Sequence, residues 1–482
     1  MTNARRETSD DNSDVRVTFP LDLPPIDEPA MSESASSTTP TSKPWYQRIG
    51  PGLITACVVI GPGSILTSST VGANTEYSML WIVAISVIFM MFYMTMGARL
   101  GVLAEKAPGD LIRERGGNGL CMLVGFCVFF ISAAFQSGNN IGVGAAFEAF
   151  IDNKMVVAGL IVAFNVVAIS FLFLFKNLYQ TLERLMMVFV GLMLVSFAVN
   201  LLTLKPDVGA MAQGFVPSMG KIDLAVLGLV GTTFVITAAY YQAYLVRQKG
   251  WKEPELQSGL IDARIGSGIM FLITLMLLST AAAGIYTGEK ITLPSPVAVA
   301  VALEPTFGSS GKIIFCFGLF SAAYSSFLVN SMIGGFILSD SLGFGSKPTD
   351  LWPRLLTTAA LLTGMFIALA TIILDFDRTP TIIAAQAVTV LGAPLIAIVL
   401  LWLTSSEAVM GKAKNGPVLK TFGLVGLVLL LAMAYRTAFV SIPQKWNAWM
   451  NPSPVVAPAE EEPAVADPAA TSGEEAEGEN DE

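Results

Sequence analysis

The residues best suited to chemistry are small, neutral and placed where a membrane helix should not tolerate them. The stretch Val58–Ser69 reads VVIGPGSILTSS, and Gly61, Pro62, Gly63 and Ser64 lie in the middle of an apolar run. Pro62 removes a backbone donor and clashes with the preceding turn. The flanking glycines make unwinding cheap, and Ser64 supplies a hydroxyl for a freed backbone group. A second apolar run, LAVLGLVGTTFVITAAYYQAYL, is interrupted at Gly228, Gly231, Thr232, Thr233 and Thr237. A third carries QSGNNIG, with Asn139 and Asn140 in its centre. Backbone carbonyls, hydroxyls and amides of this kind bind an ion or a small polar solute, and unwound backbone at membrane depth is tolerated where it lines a cavity.

Covalent chemistry has little support. The chain contains no histidine, which removes imidazole bases, proton relays and His-based metal ligation. There is no Ser/His/Asp set, no HExxH, no phosphate-binding loop and no Gly-rich nucleotide fingerprint. We expect no enzyme activity, no cofactor and no nucleic-acid partner. Cys57, Cys121, Cys127 and Cys316 all fall in apolar segments without metal-ligand spacing and read as buried free thiols.

The elements that must position the polar groups are membrane spans. Of the 482 residues, 53% are hydrophobic and 13% charged, about half the charge of a typical soluble domain. Runs of about 20 apolar residues repeat along the chain, enough to cross the hydrocarbon core as helices. The hydropathy pattern predicts an all-α polytopic protein with eleven spans, near 53–72, 79–104, 118–148, 155–175, 182–203, 222–246, 261–284, 310–338, 355–374, 380–403 and 419–440. Residues 1–48 and 446–482 are polar or acidic tails that lack the apolar content to pack. The net charge of −9 comes largely from these ends. Twenty of the 28 Lys and Arg residues fall on the side of the first tail. That bias predicts a cytoplasmic N-terminus and an outer C-terminus, in a bacterial-type inner membrane.

The first and sixth spans, the two interrupted ones, lie five apart. This spacing fits a five-plus-five inverted repeat, with residues 49–204 as the first half, 205–404 as the second, and an extra helix in 405–445. Transporters of that design place discontinuous helices around a midplane site. The bland reading of either break is a packing kink. Asn139 and Asn140 read equally well as interhelical hydrogen-bonding groups or as pathway lining. Tyr240, Tyr241 and Tyr244 read as packing or an interfacial belt. Glu76 reads as a solvated charge at an outer mouth, and Asp223 and Asp262 as favoured by the dipoles of their own helices.

Several collinear stretches resemble the Nramp transporter family. They are IGPGLITACVVIGPGSILTSSTVGA from Ile49, YSMLW, ARLGVLAEKAPGDLIRER, GLFSAAYSSFLVNSMIGGFIL and AAQAVTVLGAPLIAIVLLWLTSSEAVMGKAKNG. The resemblance implies the leucine-transporter-type fold, alternating access and a divalent metal ion as cargo. It also implies where the site lies and how this chain departs from it. Gly61 and Ser64 occupy the positions of the family's Asp and Asn ligands, and Val235 that of its Met. Thr237 and Gln242 replace the two sixth-helix His residues, and the acidic pair of the third helix falls within Gln136–Gly144. Gln386 and Pro394 are retained. The implied substrate site is therefore Gly61, Ser64, Thr232, Val235, Thr237 and Gln386, with Asn139, Asn140 and Tyr324 on the pathway or gate. Without the acidic and sulfur ligands, a hydrated ion such as Mg²⁺ fits better than bare Mn²⁺ or Fe²⁺. A non-metal solute, or a transport-inactive sensor, is the alternative.

Overall fold

The structure is a computed structural model that describes residues 50–441, apart from 176, 219–223, 294 and 377, together with residue 443. The side chains of 224, 305–309, 378–387 and 441 are also outside the described set. Both tails, Asp223 and the Gln386 side chain therefore lie outside the described residues.

All regular structure in the described residues is helical. The first span is two helices, α1 (Pro51–Val59) and α2 (Pro62–Thr75). The rest of the first half is α3 (Leu80–Leu103), α4 (Pro108–Glu148), α5 (Lys154–Leu174) and α6 (Leu178–Thr203). A short α7 (Val208–Gln213) leads to the second divided span, α8 (Leu224–Thr233) and α9 (Ile236–Lys249). Then follow α10 (Leu256–Gly284), α11 (Pro296–Ser341), α12 (Leu351–Ile373) and α13 (Arg378–Ser405). A single turn, α14 (Glu407–Met410), precedes α15 (Pro417–Arg436). Among the described residues, ten spans are long and apolar enough to cross a membrane, and α1 with α2 makes the eleventh. The expected spans all have counterparts. The third is explained by Gly117, whose φ of 80° interrupts α4 just before the apolar run begins. The eighth begins where hydropathy placed it, as Ser310–Ser341, the C-terminal part of the 46-residue α11.

The two breaks follow local rules. Pro62 does not sit in the unwound stretch, as its position in the motif suggested. It opens α2 at the first helical position, where a missing N–H costs nothing. The unwound residues are Ile60 and Gly61, and the chain bends there by 60°. In the sixth span the helix is interrupted at Phe234 and Val235, and Ala225–Lys249 continues through the interruption as one span.

Burial ranks the spans. The most apolar window of α8–α9 is 78% buried and that of α15 only 22%, so the divided sixth span is central and α15 lies at the periphery. Tyr240, Tyr241 and Tyr244 are fully buried on α9. Their rings pack on one another at 5.8 and 5.9 Å, and Tyr241 also meets Phe336. They are core residues and form no interfacial belt, because α9 is enclosed by neighbours on every side. Glu76 is exposed. Asp262 lies beyond the first turn of α10 and serves another helix: its carboxylate accepts the N–H groups of Gly50 and Gly52 at the start of α1. The expected benefit from its own helix dipole is thus replaced by that of α1. The four cysteines are free, three buried and Cys127 half-buried.

Close approach depends on glycine where helices touch the breaks. A Cβ at Gly142 on α4 would fall 2.0 Å from Pro62 Cγ. Gly97 on α3 similarly admits the Ala239 carbonyl of α9, which would lie 2.2 Å from a Cβ. Overpacking of this kind costs about 1–3 kcal/mol. Gly142→Ala should therefore lower the melting temperature in detergent by several degrees, and an unchanged melting curve would show that the α4–Pro62 contact is not tight.

Candidate functional site

Breaking a helix inside the hydrocarbon frees carbonyls that need partners. At the first break, Ser326 Oγ on α11 donates to the Val58 carbonyl at 3.1 Å. Ser64 Oγ donates back across the break to the Val59 carbonyl. The same hydroxyl lies 3.4 Å from the Thr232 carbonyl, at the end of α8. One turn further along α2, Thr67 Oγ1 meets Thr232 Oγ1 at 3.1 Å. These contacts bring the two interrupted spans side by side.

Gly61 faces two further polar groups. A Cβ built on it would stand 3.0 Å from Ser326 Oγ and 3.3 Å from Asn139 Oδ1. Asn139 Nδ2 is held by Gln136 Oε1 at 2.9 Å, and Gln136 Nε2 donates to the Phe327 carbonyl at 2.6 Å. The amide chain therefore orients Asn139 toward the break from α4. On the α9 side, Thr237 is buried and its hydroxyl has no partner among the described residues. A buried hydroxyl left unpaired is costly.

The structure brings Gly61, Ser64, Thr232 and Asn139 together and sets Thr237 at the start of the adjoining half-helix. Val235 caps α9 with extended backbone, but its side chain is part of the apolar core. Asn140 turns away from the break and accepts from Asn165 Nδ2 of α5 at 2.7 Å. Tyr324 stacks in an aromatic cluster with Phe320 and Phe327, and its hydroxyl lies 3.3 Å from the Phe164 carbonyl. Gln386 belongs to α13, with its side chain outside the described residues. Sequence reasoning missed Thr67, Gln136 and Ser326. The tract SAAYSSFLVNS around Ser326 is a cluster of hydroxyls in an apolar span, and that was the available signal.

The electrostatics are plain. The described groups gathered at the breaks are carbonyls, hydroxyls and amides, with no ionised side chain among those described. Among the described residues, no group of three or more His, Cys, Asp or Glu side chains is placed to hold a metal ion. Such a site can hydrogen-bond a polar solute or the water shell of an ion. It offers no anionic ligand to a bare one.

A helical membrane protein with its first and sixth spans interrupted side by side has the leucine-transporter-type fold. Comparison with known proteins narrows the class. The model of the family described as natural resistance-associated macrophage protein-like matches residues 52–439. The chain belongs to the Nramp family. It is 26% identical over 395 residues to the divalent metal cation transporter MntH of Deinococcus radiodurans, covering 80% of this chain and 88% of that one. It is 25% identical to the MntH of Pectobacterium carotovorum over 410 residues, 83% and 95% of the two chains. Its fold resembles the crystal structure of the Eremococcus coleocola manganese transporter, with a TM-score of 0.73 and 19% identity over 85% of this chain and 89% of that one.

Thr237 offers a direct probe. Thr237→Val keeps the shape and removes the unpaired hydroxyl. It should leave the melting temperature unchanged or slightly raised, while raising the KM for transported cargo severalfold. A clear loss of stability would instead assign the hydroxyl a structural partner.

Proposed function

We propose that the chain is an alternating-access transporter whose cargo binds between the breaks at Ile60–Gly61 and Phe234–Val235, and that the cargo is a divalent cation carried with most of its water. The observation that carries this reading is the contact of two interrupted spans through Ser64, Thr67 and Thr232, ringed by neutral polar groups. Relatives named as divalent metal cation transporters support the class of cargo.

The neutral ring argues for hydration. A bare divalent ion needs anionic or strong dipolar ligands to replace its water. Mg²⁺ dehydrates reluctantly and keeps several waters, and these waters can donate to carbonyls and to the Asn139 amide oxygen. Softer metals gain from sulfur, and valine stands where the family's methionine ligand is expected. The basic face, where α1 begins, is the cytoplasmic one on this reading, and the membrane is a bacterial inner membrane. A second reading has one specific support. The N-terminal ends of α2 and α9 both meet the break, and helix N-termini favour anions or polar neutral solutes.

Flux into proteoliposomes tests the proposal. Saturable uptake of Mg²⁺, exceeding that of Mn²⁺, is expected. Folded protein that moves neither ion but responds to anions would select the second reading. The double substitution Gly61→Asp with Ser64→Asn should raise Mn²⁺ affinity by at least about tenfold in calorimetry, since it adds an anionic ligand and a strong dipole. No gain would contradict the placement of cargo at the break.

A further inference from the structure

Two carboxylates are buried among the described residues, Asp262 and Asp340. Neither is at the break. Both lie at the basic face, and both do the same thing. Each accepts hydrogen bonds from the first turn of a helix other than its own, and each touches α9.

Asp262, on α10, accepts the Gly50 N–H at 2.7 Å and the Gly52 N–H at 2.5 Å, both at the start of α1. Its second oxygen also lies 3.3 Å from the Gln242 amide of α9. Gln242 meets Thr55 Oγ1 of α1 at 2.5 Å, and either orientation of its amide joins α9 to α1. Asp340, on α11, accepts the Gly109 N–H of α4 at 2.8 Å and the Tyr244 hydroxyl of α9 at 2.6 Å. Arg113 of α4 donates to the Asp340 carbonyl at 2.7 Å.

A helix start presents unpaired N–H groups and the positive end of its dipole. A carboxylate there makes charge-assisted bonds, stronger than neutral ones. A buried carboxylate that loses its donors must find water. A cleft opens near each carboxylate, one beside the start of α1 and one at Tyr244, which binds Asp340. A cleft of about 310 Å³ lined by Tyr179, Glu183 and Lys249 opens beside the α1 start. Lys249 and Glu183 form an ion pair at 2.5 Å there, against Gly50. A larger cleft of about 840 Å³ reaches Tyr244. The bonds can therefore be exchanged for solvent without stranding a charge.

We infer that Asp262 and Asp340 are the latch of the gate at the basic face. Asp262 holds the half-helix α1 closed over the break. Asp340 fixes α9 to α4, so that α1 closes against a rigid wall. The path from the break to the basic face opens when α1 leaves Asp262. This inference rests on the alternating-access reading above, but not on the identity of the cargo.

Cys57 is a built-in reporter. It lies in the last turn of α1, fully buried, with its sulfur against the Met186 carbonyl. In a chain keeping only this cysteine (C121S, C127S and C316S), maleimide labelling measures how often α1 departs. Asp262→Asn should speed labelling by at least about tenfold, the cost of weakening two charge-assisted bonds. Gln242→Ala should speed it severalfold, and so should Tyr244→Phe. Asp262→Asn that folds and labels at the parent rate overturns the latch. If that variant does not fold, Gln242→Ala labelling at the parent rate overturns it equally. A parent rate in Tyr244→Phe removes Asp340 from the device. Labelling needs no cargo, so absent Mg²⁺ or Mn²⁺ flux leaves this result standing, and normal flux with unchanged labelling rejects the latch alone.

Discussion

A backbone carbonyl in hydrocarbon must have a partner, and the architecture around the breaks answers that requirement. Unwinding Ile60 and Gly61 frees the ends of α1, and the Val58 and Val59 carbonyls are met by Ser326 and Ser64. Those hydroxyls come from different elements, so satisfying the backbone also ties α11 and α2 to α1. Thr232 extends the tie to the second interrupted span. The polar groups that repair the helix are thus the same ones that line the proposed site. Cargo has to compete with, or borrow from, a network already in place.

Charge is separated from this site. Its lining is neutral, and the buried carboxylates stand one helix half away, at the start of α1 and of α4. A neutral lining has a low desolvation cost when the site is empty. On the proposed reading it would also hold a hydrated ion loosely enough for release. The carboxylates at the basic face bond to backbone N–H groups of moving or anchoring helices, where strong, directional and reversible contacts are useful. On the proposed reading, binding and gating fall to different chemistries in different layers of the molecule.

What could be read from the sequence follows the same physics. Pro62 flanked by glycine is legible because proline and glycine act on the backbone locally. Even so, the unwound pair falls just before Pro62, since proline prefers to start a helix. The second break, at Phe234 and Val235, has no such marker. Neighbouring threonines indicated the region, and the unwound residues themselves are apolar. Thr67 carried no mark of a site residue and Ser326 only that of a hydroxyl-rich tract, because each is an ordinary hydroxyl until the fold sets it against a freed carbonyl or another hydroxyl. Asp262 was read against its own helix, and only the tertiary contact with Gly50 and Gly52 reveals its partner. The α9 tyrosines were ambiguous for a related reason: periodicity does not distinguish a ring facing lipid headgroups from one facing Phe336.

The central claim is that hydrated cargo sits at the junction of the two breaks. Anomalous diffraction from crystals of the protein soaked in Mn²⁺ tests it most directly. The account predicts a peak among Gly61, Ser64, Asn139 and Thr232, standing about 4 Å from protein oxygens, as an ion bound through its water shell must. A peak there at about 2 Å from protein atoms would contradict the hydrated state. A peak elsewhere, with none at the break, would contradict the site itself.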